Sequence, residues 1–395
     1  MNKREKKPNR RRFLQVSALA GWGFFVRFNK MSALPSSRVC WEGRFQGEKQ
    51  LGIVPFVGES GAPLGTLLGD GLDARMYSDL SALRPETPLL PSEEFYVRTR
   101  ASELLEGEGS WRIKVDGLVV KSADLTMTDL KAMTRRMGLH LMECAGNARS
   151  TRFGLLGVAD WAGAAIAEVL GRVQAKAEAQ RVMVSGFDSY PGKAMTSVPG
   201  ADWIFTREEL ESARAFLATD MNQKPLPRDH GSPVRLVVPG WYGCTCIKWV
   251  NAITYVSDGA AATSQMQEFA GRTHQAGIPS LAREYKPAKI EQAAMPIRVE
   301  KWVVNGEIKY RVAGILWGGE SPVRILEIRF NPEEDYVPVG RFKQTTNDPW
   351  SFWSHEWTPK ERGRYTIRLR VKDPPVNTRR LDSGYYARSV EIDEV

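Results

Sequence analysis

Leu141-Met142-Glu143-Cys144-Ala145-Gly146-Asn147-Ala148-Arg149 puts one thiol on a turn, with a guanidinium five residues further on. The thiolate is the metal-binding form of cysteine, and a fixed positive charge nearby favours it. Arg149 is therefore expected to lower the Cys144 pKa and to hold an oxyanion through paired N–H donors. Gly146 and Asn147 tolerate the positive φ that brings backbone close to a bound group. The same residues also fit a buried cysteine followed by an ordinary turn, because free cysteine is commonly a small core residue.

A chain of 395 residues with 42% apolar content can build two domains or one large one. No run of 18 apolar residues occurs, so no spanning helix is expected. The net charge of +9 is concentrated in residues 1–30, which hold nine basic residues against Glu5 alone. Residues 31–395 are nearly neutral, which argues against a nucleic-acid-binding surface. Within the basic head, Arg10-Arg11-Arg12-Phe13-Leu14-Gln15 precedes a mildly apolar run from Val16 to Phe25 and resembles a twin-arginine export signal. The expectation is a periplasmic protein that folds around its cofactor before export, with residues 1–40 as signal and lead-in; a basic tail on a cytoplasmic protein is the other reading.

Four cysteines, Cys40, Cys144, Cys244 and Cys246, are too few for a disulfide framework and form no C-x-x-C pair. Cys244 and Cys246 fall in an apolar run that reads as a strand, both on one face, and a core role is expected for them. His140, His230, His274 and His355 form no helix pair, so a metal here must be held mainly by something other than histidine. No G-x-G-x-x-G or Walker A sequence points to a nucleotide.

Residues 31 to about 90 are rich in Gly, Pro and Ser and read as an irregular lead-in. From Phe95 to Ser257 short strands (Trp111 to Val115, Arg181 to Ser185, Val234 to Val238, Ile247 to Tyr255) mix with helical pieces (Ala164 to Leu170, Thr206 to Ala218), an α+β order. Thr206 with Glu209 fits a capping box. After a polar stretch from about Gln265 to Ala294 the rhythm changes. Tyr365, Ile367, Leu369 and Val371 alternate with polar residues, and further strands are expected at Ile297 to Val304, Lys309 to Leu316, Val323 to Phe330 and Tyr386 to Ile392, broken at Asn305-Gly306, Gly318-Gly319 and Asn331-Pro332. About 100 residues of short strands suggest an immunoglobulin-like sandwich.

Glu143-Cys144-Ala145-Gly146-Asn147, then Asp160-Trp161-Ala162-Gly163, then the block from Pro225 to Gly240 (PLPRDHGSPVRLVVPG), then Ile247-Lys248-Trp249, resemble the sulfite oxidase family of molybdopterin-dependent oxidoreductases. The resemblance implies a sulfite-oxidase-type molybdopterin-binding domain over residues 41–292 and an immunoglobulin-like dimerisation domain over 293–395. It implies that Cys144 is the single protein ligand of a molybdenum atom whose other sulfurs come from a pterin dithiolene. His230, Arg235 and Lys248 match positions that hold the phosphate and pterin, and Asp188 a carboxylate that touches the cofactor. Arg98 and Arg149 match the arginines of the substrate pocket, and Trp161 its aromatic wall.

The implied reaction is oxidation of sulfite, or a related small sulfur oxyanion, by oxygen-atom transfer. Electrons would pass to a separate c-type cytochrome, since the chain has no C-x-x-C-H haem site. A homodimer or hetero-oligomer through the C-terminal domain is expected. The alternative is a reductase of S-oxides such as methionine sulfoxide with the same cofactor. Two departures bear on substrate: Thr99-Arg100 follows Arg98 where the family has Asn and His, and no tyrosine stands in residues 263–275, where Arg272, Thr273 or His274 is left to fill the space beside the metal.

Overall fold

The computed structural model describes residues 48–195, 197, 200–342 and 349–395. The export signal and Cys40 lie outside the described residues.

Nearly all regular structure is β. Two five-stranded sheets carry the region from Arg112 to Val256. In the first, Leu156–Ala165 lies between Arg135–Glu143 and Phe216–Met221, all antiparallel, and Phe216–Met221 also pairs with Lys224–Pro225 and Arg235–Val237. In the second, Val250–Val256 runs parallel to Arg112–Gly117 and antiparallel to Arg181–Gly186, with Ala123–Thr126 and Asp202–Thr206 at the edges. The strands pack so closely that only glycine fits at one crossing: a Cβ at Gly163 would stand 2.2 Å from the Leu217 carbonyl oxygen.

The helical share of the expected α+β pattern is smaller than the sequence suggests. The described α-helices run from four to seven residues. The Thr206 capping box forms, with Thr206 Oγ1 accepting from Glu209 N at 3.1 Å and Glu209 Oε2 from Thr206 N at 2.7 Å. That helix ends at Ser212, however, rather than running on to Ala218. Arg214 turns left-handed (φ 53°), and Phe216–Met221 becomes a central strand whose residues are almost all buried. A fully buried strand has no alternation to distinguish it from a helix. Ala164 and Ala165 likewise belong to a strand, and the helix there starts at Ile166.

The C-terminal region builds two more antiparallel sheets. One is ordered Lys49–Val54, Ala293–Val304, Glu307–Trp317, Ser351–Trp357, Arg341–Phe342; the other Val337–Pro338, Leu326–Arg329, Gly363–Val371, Arg388–Ile392, Phe56–Val57. Asn305 and Gly306 take φ of 52° and 85°, the left-handed pair that a tight hairpin requires. Val299, Tyr310, Val312, Ile328, Trp353 and Ile367 fill the core of this region. Both sheets recruit an edge strand from residues 49–57, within the stretch whose glycines and prolines read as irregular.

Candidate active site

Cys144 follows directly on the strand Arg135–Glu143. Its N–H donates to the Leu155 carbonyl at 2.9 Å and its own carbonyl accepts from Asn147 N–H at 2.9 Å. Asn147 is fully buried and closes the turn from inside: Oδ1 accepts from Leu155 N at 3.1 Å and Nδ2 donates to Glu143 Oε1 at 3.2 Å. Glu143 also receives the Trp317 indole and the Tyr386 hydroxyl, which anchors the thiol turn to the C-terminal region. Burial pushes the Glu143 carboxyl up, against Arg380 and these three donors.

Arg98, Cys144, Asp188, His230, Arg235 and Lys248 line one cavity, which encloses about 920 Å³ with its mouth included and so falls in the range of cofactor pockets. The other two expected site residues do not line it. Arg149 begins a 3₁₀ turn, after which Arg152 and Phe153 take positive φ, and its guanidinium donates to the Ala387 carbonyl at 2.5 Å. Trp161 stands in the central strand, 1% exposed, with Nε1 donating to the His140 carbonyl at 3.3 Å and Arg235 5.8 Å over its ring. It backs Arg235 and is not a wall of the cavity.

Burial raises the Cys144 thiol pKa, and the cations that oppose this are Arg98 and Arg272. Arg149, expected to do so, is not among the main influences. Arg272 comes close enough that a Cβ at Gly146 would meet its Nη1 at 3.4 Å. Arg75, which no motif marks, lies beside Arg98; it donates to the Arg98 carbonyl at 2.7 Å and to Ser197 Oγ at 2.8 Å, and burial together with Arg98 lowers it to about 10. Cys244 and Cys246 also differ from expectation. Gly243–Thr245 is a 3₁₀ turn rather than a strand, and both cysteines line the cavity.

The cavity also gathers buried cations. Lys248 donates to the carbonyls of Thr99 and Asp229, so Thr99 contributes through its backbone. Burial, then Arg235, pushes the Lys248 ammonium well below its ordinary pKa. Arg235 donates to the carbonyls of His230 and Cys246, both at 3.0 Å, while its buried Nε has no partner. His230 Nε2 donates to the Ser92 carbonyl at 2.9 Å, and burial plus the charges of Lys248 and Arg235 pull its pKa down to about 4. At neutral pH the imidazole is therefore uncharged and offers Nδ1 as an acceptor. Asp188 accepts from Gly200 N, and burial raises its carboxyl to about 6.

Cations gathered in low dielectric, one with an unpartnered N–H, are stabilised when an anion enters. The Cys144 thiol in the same cavity supplies a soft metal donor. Among the described residues no group of three or more His, Cys, Asp or Glu side chains could hold a metal by itself. The donor set fits a metal that brings its own ligands on a phosphate-bearing group.

The model of the oxidoreductase molybdopterin binding domain matches residues 101–263. Sulfite oxidase of Gallus gallus is 28% identical over 265 residues, covering 62% of this chain and 57% of that protein. An NADPH nitrate reductase of Mycosarcoma maydis is 32% identical over 210 residues, 45% of this chain and 21% of that one. Among solved structures, the sulfane dehydrogenase SoxCD of Paracoccus pantotrophus superposes with a TM-score of 0.60 over 80% of this chain and 78% of that chain, at 17% identity, and shares the fold. The chain thus spans about half the length of the sulfite oxidases it matches. The chain carries a molybdopterin-binding oxidoreductase domain similar to that of the sulfite oxidases and is a molybdenum-dependent oxidoreductase of that type, with molybdenum-molybdopterin as its cofactor.

Proposed function

We propose that this protein oxidises sulfite or a related small sulfur oxyanion, and the observation that supports this is the joining of Cys144, Arg98, Arg235 and Lys248 in one cavity. When bound, the molybdenum-pterin group supplies the oxygen-atom transfer and stores the two electrons. Cys144 Sγ is the protein's ligand to the metal. Lys248 and Arg235 would hold the anionic end of the cofactor, the neutral His230 would offer Nδ1 as an acceptor to an N–H or O–H of the bound group, and Asp188 would take up or release a proton near pH 6 beside it. Arg98 orients the substrate oxyanion with paired N–H donors.

Electrons leave to a separate c-type cytochrome in this reading, and the two-sheet C-terminal region is an immunoglobulin-like domain through which the protein forms a dimer or hetero-oligomer. The Arg-Arg-containing head sends the folded protein to the periplasm; no described helix is long and apolar enough to cross a membrane. A steady-state assay of sulfite with cytochrome c, run beside dye-coupled reduction of methionine sulfoxide and of nitrate, tests the assignment. Sulfite-dependent cytochrome reduction is expected. Activity confined to either reductive assay overturns the reading.

A further inference from the structure

We propose that Cys244 is the oxidation partner of Cys144: in the metal-free protein the two thiols close to a disulfide that removes the metal ligand, and metal held at Cys144 prevents it. The proposal rests on Cys144 being the ligand of the molybdenum group and is independent of the substrate.

Cys144, Cys244 and Cys246 are free and buried, and all three line one cavity. The proposed function uses the first alone. Among the described residues no three His, Cys, Asp or Glu side chains converge on a metal position, so the thiols do not form a thiolate cage. Backbone contact brings Cys144 and Cys244 together. Gly243 packs against the end of the strand that leads into the ligand turn: a Cβ there would meet the Tyr96 hydroxyl at 2.9 Å, the Glu143 carbonyl oxygen at 3.2 Å and Met142 Cγ at 3.5 Å. The chain thus touches itself one residue before each thiol. A disulfide needs Cα atoms about 4.4–6.8 Å apart, a spacing that backbones in contact one residue upstream can supply.

The turn Gly243–Thr245 is fastened from the helix Ser264–Phe269, where Gln265 Nε2 donates to the Cys244 carbonyl. Burial pushes the Cys244 thiol well up, and among charged groups Cys144 pushes it furthest. Cys246 is placed differently. Its Sγ accepts from Val238 N at 3.4 Å, and after burial the main influence on it is Arg235.

The oxidant is a small disulfide, RSSR. One thiolate attacks a sulfur of RSSR and releases RSH; the second attacks the mixed disulfide and releases the other RSH. The reagent S–S bond breaks, the Cys144–Cys244 S–S bond forms, and two protons and two electrons end on two RSH molecules. A sulfur in a disulfide has no thiolate to give a metal.

The test uses the full-length protein from molybdate-starved cells, treated with hydroxyethyl disulfide, alkylated and mapped by mass spectrometry. Two of its four thiols should be lost, with a peptide pair joining positions 144 and 244 that dithiothreitol separates. Cys244→Ala and Cys244→Ser should leave Cys144 open to alkylation, whereas Cys246→Ala should behave as wild type. Molybdenum uptake from added cofactor, read by elemental analysis, should fall at least about tenfold on oxidation, because loss of a ligand exceeds loss of an outer partner. It should recover on reduction and be insensitive to the oxidant in Cys244→Ala. Undiminished alkylation of Cys144, a link from Cys144 to Cys246 or to a second chain, or the same yield of the 144–244 link in urea overturns the proposal, the last because the fold would then not select the pair. If the link forms but the loaded protein oxidises no sulfite, the thiol pair stands and the substrate reading falls.

Discussion

The indole Nε1 of Trp317 donates a 2.8 Å hydrogen bond to Glu143 Oε2 across 174 positions of chain. The carboxyl it meets is fully buried and immediately precedes the thiol ligand. Trp317→Phe preserves most of the packing and removes this one donor, leaving a buried acceptor short of a partner. A loss of about 2 kcal/mol in unfolding free energy is expected, read by urea denaturation, with a wild-type midpoint arguing against the anchor.

Cys144→Ser keeps the size of the ligand and replaces a soft thiolate by a hard hydroxyl. Turnover should fall by more than the roughly 100-fold that loss of an outer partner of a metal site costs, while the far-ultraviolet circular dichroism stays that of the wild type. Rates within about tenfold of wild type would remove Cys144 from the metal.

His230 is depressed from 6.5 to about 4. The unfolded chain therefore takes up its proton at higher pH than the folded one, and acid favours unfolding. This contribution is present above pH 6.5 and is lost progressively as pH falls toward 4, by up to about 3 kcal/mol. Measured from about pH 4 to 8, the stability difference between wild type and His230→Gln should shrink or reverse on the acid side. A difference independent of pH would show that the imidazole is not held neutral.

Gly163→Ala forces a methyl to within 2.2 Å of the Leu217 carbonyl oxygen and 2.7 Å of the Ala218 Cα, both backbone atoms of the adjacent strand. Neither can move without opening the sheet. Destabilisation of about 1–3 kcal/mol or more is expected, visible as a lowered melting temperature. A melting temperature at or above that of wild type would mean that the strands separate freely.

The motif residues are readable because each motif carries its own local geometry. The turn at Cys144, the Pro-rich block around His230 and Arg235, and Lys248 after Ile247 reach the cavity with Arg98 and Asp188. Direction is harder to read than proximity. Arg149 lies in the same motif as Cys144, yet its guanidinium goes to the Ala387 carbonyl, 238 positions away in the chain. Trp161 stands in a strand buried at nearly every position, so its sequence does not say which face meets a cavity and which a second layer. Arg75 and the choice of Arg272 over Thr273 and His274 depend on long-range packing, which no spacing encodes. The same holds for Phe216–Met221, where burial on both faces erases the period of two.

The strands Lys49–Val54 and Phe56–Val57 complete sheets whose other members come after residue 292. Ribosomal synthesis therefore releases the edge pieces long before their partners exist. Trp317, Arg380 and Tyr386 reach the thiol turn and its neighbour Arg272 only in the same late stage. The fold thus carries its own order of assembly, in which a cofactor pocket with a fixed ligand turn is a property of the finished chain and a truncated one would have no rigid seat to offer.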